Sequence, residues 1–454
     1  MKEDYVMSNI AVANWGNFPR IKSEVTHFFD TESLRDKLLN TSCLIARGYG
    51  RSYGDASLNT NQILDTSFYN DFILFNRTTG ELIVEAGASV ETVLNKTVPF
   101  GWFLPVVPGT KYVSIGGAIA ANIHGKNHHV SRCFSNHINW ICMMLADGSI
   151  VRCSPLQNSE LFNATCGGQG LTGFILYASI QLVKYETSVI KQKNSFSTDL
   201  NDYIEQLERS NKDSEYTVGW CDLANRSFRG LVFSGDFISN DELETFSKNH
   251  LTFGNRKSKN LIVPFYTSSA FINKASILAF NRLYYRANSR KSKSFYSSIE
   301  SFFFPLDAVK KWNRLYGRKG FIQYQFVIPD NASMTLQKIF SFLKRTGTYS
   351  PLAVIKLCGY EPEKKGSLTF CRKGISVALD FKYSTRLFNV LNRLDDMIAE
   401  CGGRVYLAKD SRLSALGFRQ MYGKTVDDFM EIKSKYDPNN KFCSLLSERL
   451  KLSC

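Results

Sequence analysis

The chain has 454 residues, long enough for two or three lobes, and 44% hydrophobic with 21% charged residues describes a globular protein with an ample core. That balance excludes a disordered chain, and no stretch approaches the roughly 20 apolar residues needed to span a bilayer. The net charge of +15 favours an anionic partner.

Met1-Lys2-Glu3-Asp4 leads into no apolar run, so no signal peptide is expected. The eleven cysteines contain no CxxC pair and read as reduced thiols of a cytoplasmic protein. From residue 42 to 150 short apolar runs alternate with turns, and "ARGYGRSYGDASLN" (46–59) is the first glycine cluster. Glycine lets backbone approach a ligand and turn N–H groups cradle an anion, so Gly48, Gly50 and Gly54 beside Arg47 and Arg51 suggest a diphosphate site. Helical periodicity follows around Glu91 to Asn95 and again from Ser114 to Asn122. The second of these opens on Gly116-Gly117-Ala118, where helix-start N–H groups would favour a diphosphate. His124, His128 and His129 come next, and no recurring third ligand type or nearby carboxylate gives them a metal-site spacing, so no metal is expected. Asp147-Gly148 predicts a hairpin, and "ATCGGQGLTGFI" (164–175) is a third small-residue wall.

A new set of strands and helices starts near 190. Within it, residues 245–299 hold ten Lys or Arg and no Asp or Glu, interleaved with aromatics such as Phe253, Phe265, Phe271, Phe280 and Tyr284. Cations with rings suit an anionic lipid surface, and equally nucleic acid, although the chain carries no recognised nucleic-acid reader motif. Lys356 lies in the apolar run "AVIKLCG", where a lysine needs a functional or paired reason. Helical patterns return at 384–401 and 424–435, with "YLAKDSR" between them. No internal repeat or low-complexity tract is present.

"GRSYGD", "PGTxxxxIGGAIAxxIHGKNHH", "ADGxI", "ELFxATxGGxGLTG" and "LAKDSR", in that order, resemble the flavoprotein oxidoreductases of the vanillyl-alcohol oxidase and p-cresol methylhydroxylase (PCMH) type. Within them the chain is most similar to the branch of decaprenylphosphoryl-β-D-ribose 2'-oxidases, nearly end to end. The resemblance implies an α+β, two-lobed flavoprotein. Its PCMH-type FAD-binding domain would cover 1–187, an inserted substrate domain 188–403, and a C-terminal return to the FAD domain 404–454. It implies FAD held by Arg47, Gly48, Gly50, Arg51, Ser52 and Tyr53, then by Pro108, Gly109, Thr110, Gly116, Gly117 and Ala118. Asn122, His124, Gly125, Asn127 and His128 would lie beneath the flavin, with Gly168, Gly170 and Thr172 as a third wall and Lys409 at the flavin's pyrimidine edge. Relatives often attach the flavin through a histidine at the position of Arg51, so a non-covalent FAD is expected.

For substrate the resemblance implies Lys126 at the mouth, then Trp220, Gln323, Gln325 and Lys356. Three positions depart from the pattern: Ser376 for an asparagine, Ala378 for a cysteine, and Phe303 for a tyrosine before the Pro305-Leu306-Asp307 turn. The implied reaction is hydride transfer from a secondary sugar hydroxyl to flavin N5, with Lys409, His124, Lys356 and Gln325 as catalytic candidates. The proton acceptor stays open between Lys409, His124 and a water held by Gln325 and Lys356. The expected substrate is a polyprenyl-phosphate-linked pentose, oxidised in cell-wall or polysaccharide biosynthesis, with a separate NAD(P)H-dependent short-chain reductase completing an epimerisation. A cytoplasmic, peripheral membrane location on the inner face goes with it. Alternatives are a soluble sugar oxidase, or one related to D-arabinono-1,4-lactone oxidase, although this tail reads "YDPNNKFCSLL" in place of an "HWGK"-type motif. In another class, a non-catalytic basic protein would bind membrane or nucleic acid.

Overall fold

The computed structural model describes residues 5–452 apart from 226, 250–260, 269–270 and 291–293. The chain opens with a four-stranded sheet in the order Tyr5–Ala13, Arg20–His27, Gln62–Asp65, Leu44–Arg47, whose last three strands are parallel. An antiparallel five-stranded sheet follows, ordered Phe72–Phe75, Glu81–Glu85, Phe174–Gln181, Ile138–Met144, Ile150–Cys153. The Asp147-Gly148 turn joins its last two strands, with Gly148 at φ +80 and Leu145 N–H bonded to Ser149 O.

The third sheet has eight strands and is antiparallel throughout. Its order is Phe295–Ser298, Val189–Ser197, Gly230–Phe237, Tyr216–Cys221, Ala353–Cys358, Gly374–Lys382, Phe321–Ile328, Arg404–Val405. Helices Leu200–Asp213, Ser333–Thr346 and Thr385–Glu400 cover one face. The last is capped by Ser384 on Leu387 N–H and buries Leu387, Val390, Leu391, Leu394 and Ile398 at helical spacing. Every residue of Phe321–Ile328 is buried, because the opposite face of the sheet is covered as well, by the first lobe.

The tail turns back after Val405, and helix Lys424–Tyr436 packs beside helix Ser159–Thr165. Leu44 N–H bonds to Lys441 O, Cys443 N–H to Leu44 O, and Leu445 N–H to Leu58 O, so the chain's end is laced to its beginning. Here the cysteine reading needs correction. Cys43 and Cys443, 400 residues apart, form a disulfide, because this lacing sets their Cα atoms 6.1 Å apart. Eight others among the described residues are free thiols, seven of them buried. No helix of the described residues is long and apolar enough to cross a membrane.

Candidate active site

Strand alternation selects the polar residues on the face of the eight-stranded sheet that meets the first lobe. Register pairs Gln323 with Asp380, Gln325 with Ala378 and Lys356 with Ser376, which places all six on one face. Against it lie His124, from the stretch after helix Ile115–Ala120, and Lys409, from the turn after Arg404–Val405.

These groups form two connected clusters. In the first, Lys356 Nζ donates to His124 Nδ1 at 3.0 Å and to Gly125 O at 3.3 Å. The Gln325 amide lies 3.1 Å from His124 Nε2 and 3.3 Å from Ser376 Oγ. Burial, then the charge of Lys356, pushes His124 well below its ordinary range, so its imidazole is neutral. Both ring nitrogens are engaged, Nδ1 by Lys356 Nζ and Nε2 by Gln325 Nε2. In the second cluster, Asp380 accepts from Gln323 Nε2 at 2.6 Å and from Tyr316 Oη at 3.4 Å. Lys409 Nζ stands 3.7 Å above the Tyr53 ring. Burial lowers Lys409 to about 7 against the opposing pull of Asp380, and raises Asp380 to about 7. The pair therefore titrates together near neutrality.

The first glycine cluster is held by aromatic and carboxylate contacts. Arg51 stacks 4.1 Å over Trp15 and 5.1 Å from the Tyr112 ring, in the field of Asp307. Arg47 donates to Ala13 O at 2.9 Å and lies under Gly50, whose φ is +60. A Cβ on Gly48 would strike Ser114 Oγ, and one on Gly54 would lie 1.7 Å from Asp410 O. Ser52 O accepts Trp15 N–H and Tyr53 N–H donates to Ala408 O, so this loop and the Lys409 turn are one unit.

The helix start at Ile115 has fewer free N–H donors than its glycines suggest. Ile115 and Gly116 N–H bond to Ala88 O and Ala86 O, and Gly117 N–H bonds to Ser114 Oγ. Those donors are used inside the fold, and what Gly109 and Gly117 present is exposed backbone, with open space only at Gly109. Asn122 (φ +39) bridges Thr369 and Ser135 N–H, and Asn127 donates to Pro105 O and Ser131 Oγ.

Other expected residues stand apart from the two clusters. Lys126 is tied to the carbonyls of Phe302 and Phe303 at 2.6 and 3.0 Å and is no open mouth residue. Phe303 is buried among Phe103, Tyr216, Phe237 and Phe302. Trp220 faces Tyr284 of helix Lys274–Ser289 at 5.0 Å. Pro108 and Thr110 flank Gly109, with Thr110 bonded to Asp307, and Ala118 is buried in the core. Gly168 packs on Ala164 O, Thr172 bonds Thr165, and a Cβ on Gly170 (φ +82) would meet Ile45 at 3.5 Å.

Sequence reasoning missed Asp380, Tyr316, Trp15 and Asp307. Asp380 had a signal: it lies two residues after Ala378, on the same strand face. The others come from segments remote in sequence.

Cys133, Cys358 and Cys371 gather beside His124 and His128 with ligand atoms within 4.8 Å in two groups of three. Gly359 N–H donates to His128 Nδ1 at 3.1 Å, which leaves the ring proton on Nε2, facing Glu361 at 3.6 Å and Cys133 at 3.5 Å. Burial raises the Cys133 and Cys371 thiols, and a hydrogen bond with Cys371 followed by burial raises Cys358.

FAD fits these residues. Arg47 and Arg51 supply cations for a diphosphate, Gly109 leaves open backbone, and buried Asn127 Oδ1 has no hydrogen-bond partner. Lys356 acts on both Lys126 and Lys409, and Asp380 opposes the charge of Lys409, a gathering of buried cations that suits an anionic occupant.

Residues 39–154 match the family model described as an FAD binding domain. The chain is 34% identical over 416 residues to decaprenylphosphoryl-beta-D-ribose oxidase of Mycolicibacterium smegmatis, covering 90% of this chain and 89% of that protein. It is 29% identical over 367 residues to an uncharacterized protein of Streptomyces coelicolor, covering 78% and 97%. A shorter match, 30% identical over 135 residues, is to Delta(24)-sterol reductase of Rattus norvegicus, covering 30% and 24%.

Proposed function

This chain belongs to the decaprenylphosphoryl-β-D-ribose oxidase family of FAD-linked oxidoreductases, and from that premise we propose that it oxidises the 2'-hydroxyl of a ribose carried on a polyprenyl phosphate to the 2'-ketone. FAD is its cofactor, and when bound supplies the hydride acceptor. The domain limits 1–187, 188–403 and 404–454, and the site roles below, are part of the same proposal.

The observation that carries the reading is the buried Lys409–Asp380 pair on the sheet face beside the His124–Lys356–Gln325 chain. Lys409, lowered to about 7 by burial, is in part uncharged near neutrality and can take the hydroxyl proton. Becoming an ammonium in that step, it then offers a positive charge where negative charge develops on the cofactor's edge. His124 is a poor first acceptor, because Lys356 faces Nδ1 and the Gln325 amide nitrogen faces Nε2, so both ring nitrogens are occupied. Its part is to orient the sugar, with Gln325 and Lys356 fixing the ring. Ala378 and Ser376 leave a smaller wall with fewer hydrogen-bonding atoms than cysteine and asparagine would. The product ketone requires a separate NAD(P)H-dependent reductase if the pentose is to be epimerised.

The cofactor is held without a covalent link, since Arg51 stacks on Trp15 where a linking histidine would stand. Acid precipitation should release FAD into the supernatant, and colour retained in the pellet overturns this. Anaerobic mixing of the holoenzyme with polyprenyl-phosphoryl ribose should bleach the flavin's blue absorbance band. Bleaching by a soluble pentose or aldonolactone at equal or greater rate, with none by the lipid-linked sugar, would replace the proposed substrate.

A further inference from the structure

Residues 261–319 hold eleven Lys or Arg against two acids, Glu300 and Asp307. The fold makes one surface from the two ends of this stretch. Strand Leu261–Ile262 pairs in parallel with Val309–Lys310. Thr267 N–H bonds to Arg314 O at 3.1 Å, Thr267 Oγ1 donates to Leu315 O at 2.7 Å, and Arg314 donates to the carbonyls of Val263 and Pro264. The linked segment leaves Leu261, Ile262, Phe265 and Phe271 exposed, and helix Lys274–Ser289 adds Phe280 and Leu283. These six are 56 to 70% exposed. In the same stretch Lys274, Arg282, Arg286, Arg290, Lys310, Lys311, Arg318 and Lys319 are exposed as well.

The inner side of the same segment reaches the site. Trp312 meets Trp15 edge-on at 5.5 Å, and Trp15 carries Arg51. Tyr316 stacks on Phe321 at 4.2 Å and reaches Asp380. Asp307 turns inward, accepting Lys111 N–H at 2.9 Å, so it does not offset the outer cations.

We propose that this cationic, apolar platform docks the enzyme on an anionic lipid bilayer, with strap 309–316 standing between the bilayer and the sugar-oxidising site. The occupant follows from charge complementarity: lipid headgroups meet the cations while Phe265, Phe271, Phe280 and Leu283 enter the interface. The proposal deepens the lipid-linked reading of the substrate and rests on it for purpose, although docking can be measured without turnover. Lys291 and Lys293, expected from sequence to contribute beside Arg290, lie outside the described residues.

The test is vesicle flotation of the FAD-loaded enzyme, using phosphatidylcholine alone and phosphatidylcholine with phosphatidylglycerol, at low and high salt. The wild type should float with the anionic vesicles and much less at high salt, because Lys and Arg contacts are screened. Lys310→Glu with Lys311→Glu should weaken binding on the order of ten-fold or more, since each cation near such a surface is worth about five-fold. Phe280→Ser with Leu283→Ser should weaken it at both salt concentrations. An unchanged flavin spectrum in each variant separates lost docking from lost folding. Wild type that ignores anionic vesicles, or variants that bind as it does, overturns the proposal. So does a vesicle-independent dimer abolished by Phe280→Ser with Leu283→Ser, which would assign the face to a second copy. If the wild type floats but leaves lipid-linked ribose unoxidised, docking stands and the substrate reading fails.

Discussion

Lys409 is a side chain whose surroundings alter its chemistry. An exposed lysine is always charged near neutrality, whereas burial brings this one to about 7. A neutral amine is needed to accept the hydroxyl proton, and the neutral fraction rises with pH. Turnover should therefore climb about ten-fold per pH unit below the pair's titration and level off above it. Lys409→Ala should keep FAD bound yet lose roughly 100- to 1,000-fold in turnover, the usual cost of one preorganised group at a developing charge. A rapid-reaction pH profile of flavin reduction checks both. A flat profile in the wild type would reassign the proton to another group. Lys409 and Gln325 were legible in the sequence through their motifs, but their environment was not. Asp380 comes from another strand, and nothing in "YLAKDSR" announces it.

Among the elements, the first glycine loop and the Lys409 turn act together because they touch with no room to spare. Gly54 meets Asp410 O so closely that a Cβ would lie 1.7 Å away. Asn14 Nδ2 donates to Gly54 O, and Arg449 bridges Asp55 on the loop and Asp410 on the turn. Gly54→Ala must therefore push the two apart. The expected cost is about 1–3 kcal/mol of stability, as for other overpacked sites. Weaker FAD retention should accompany it, read from thermal melts with and without added FAD. Gly109→Ala is the control, since no atom lies within 4 Å of its Cβ position, and it should leave the fold's stability nearly unchanged.

At the scale of the whole molecule, the first and last segments close on each other. The Cys43–Cys443 disulfide joins them beside the Leu44 and Phe442 bridge, with Asn59 hydrogen-bonded to Cys443 O. A cross-link over so long a loop restricts the unfolded chain, so reduction or Cys43→Ser should cost about 2–5 kcal/mol. Lower melting temperature in reducing agent, absent in the Cys43→Ser variant, would confirm that this bond carries the effect. Equal melting temperatures with and without reductant would show it carries none. With one disulfide formed, the cysteine argument for a cytoplasmic location falls.

By itself the sequence determined the α+β class, the FAD cofactor and the flavoprotein family, because glycine turns and their flanking residues are local and survive as ordered motifs. It also marked the basic, acid-poor window, since composition needs no fold to be read. Only the tertiary structure decided what crosses between distant segments. It set Asp380 beside Lys409, tied His124 to Lys356 and Gln325, took Lys126 from the mouth to the Phe302 and Phe303 carbonyls, and joined Cys43 to Cys443. Strand register and the return of the tail determine those contacts, and each depends on which of many apolar runs pack together across hundreds of residues. Titration of a buried group depends on every neighbour packed around it, so no linear motif encodes it.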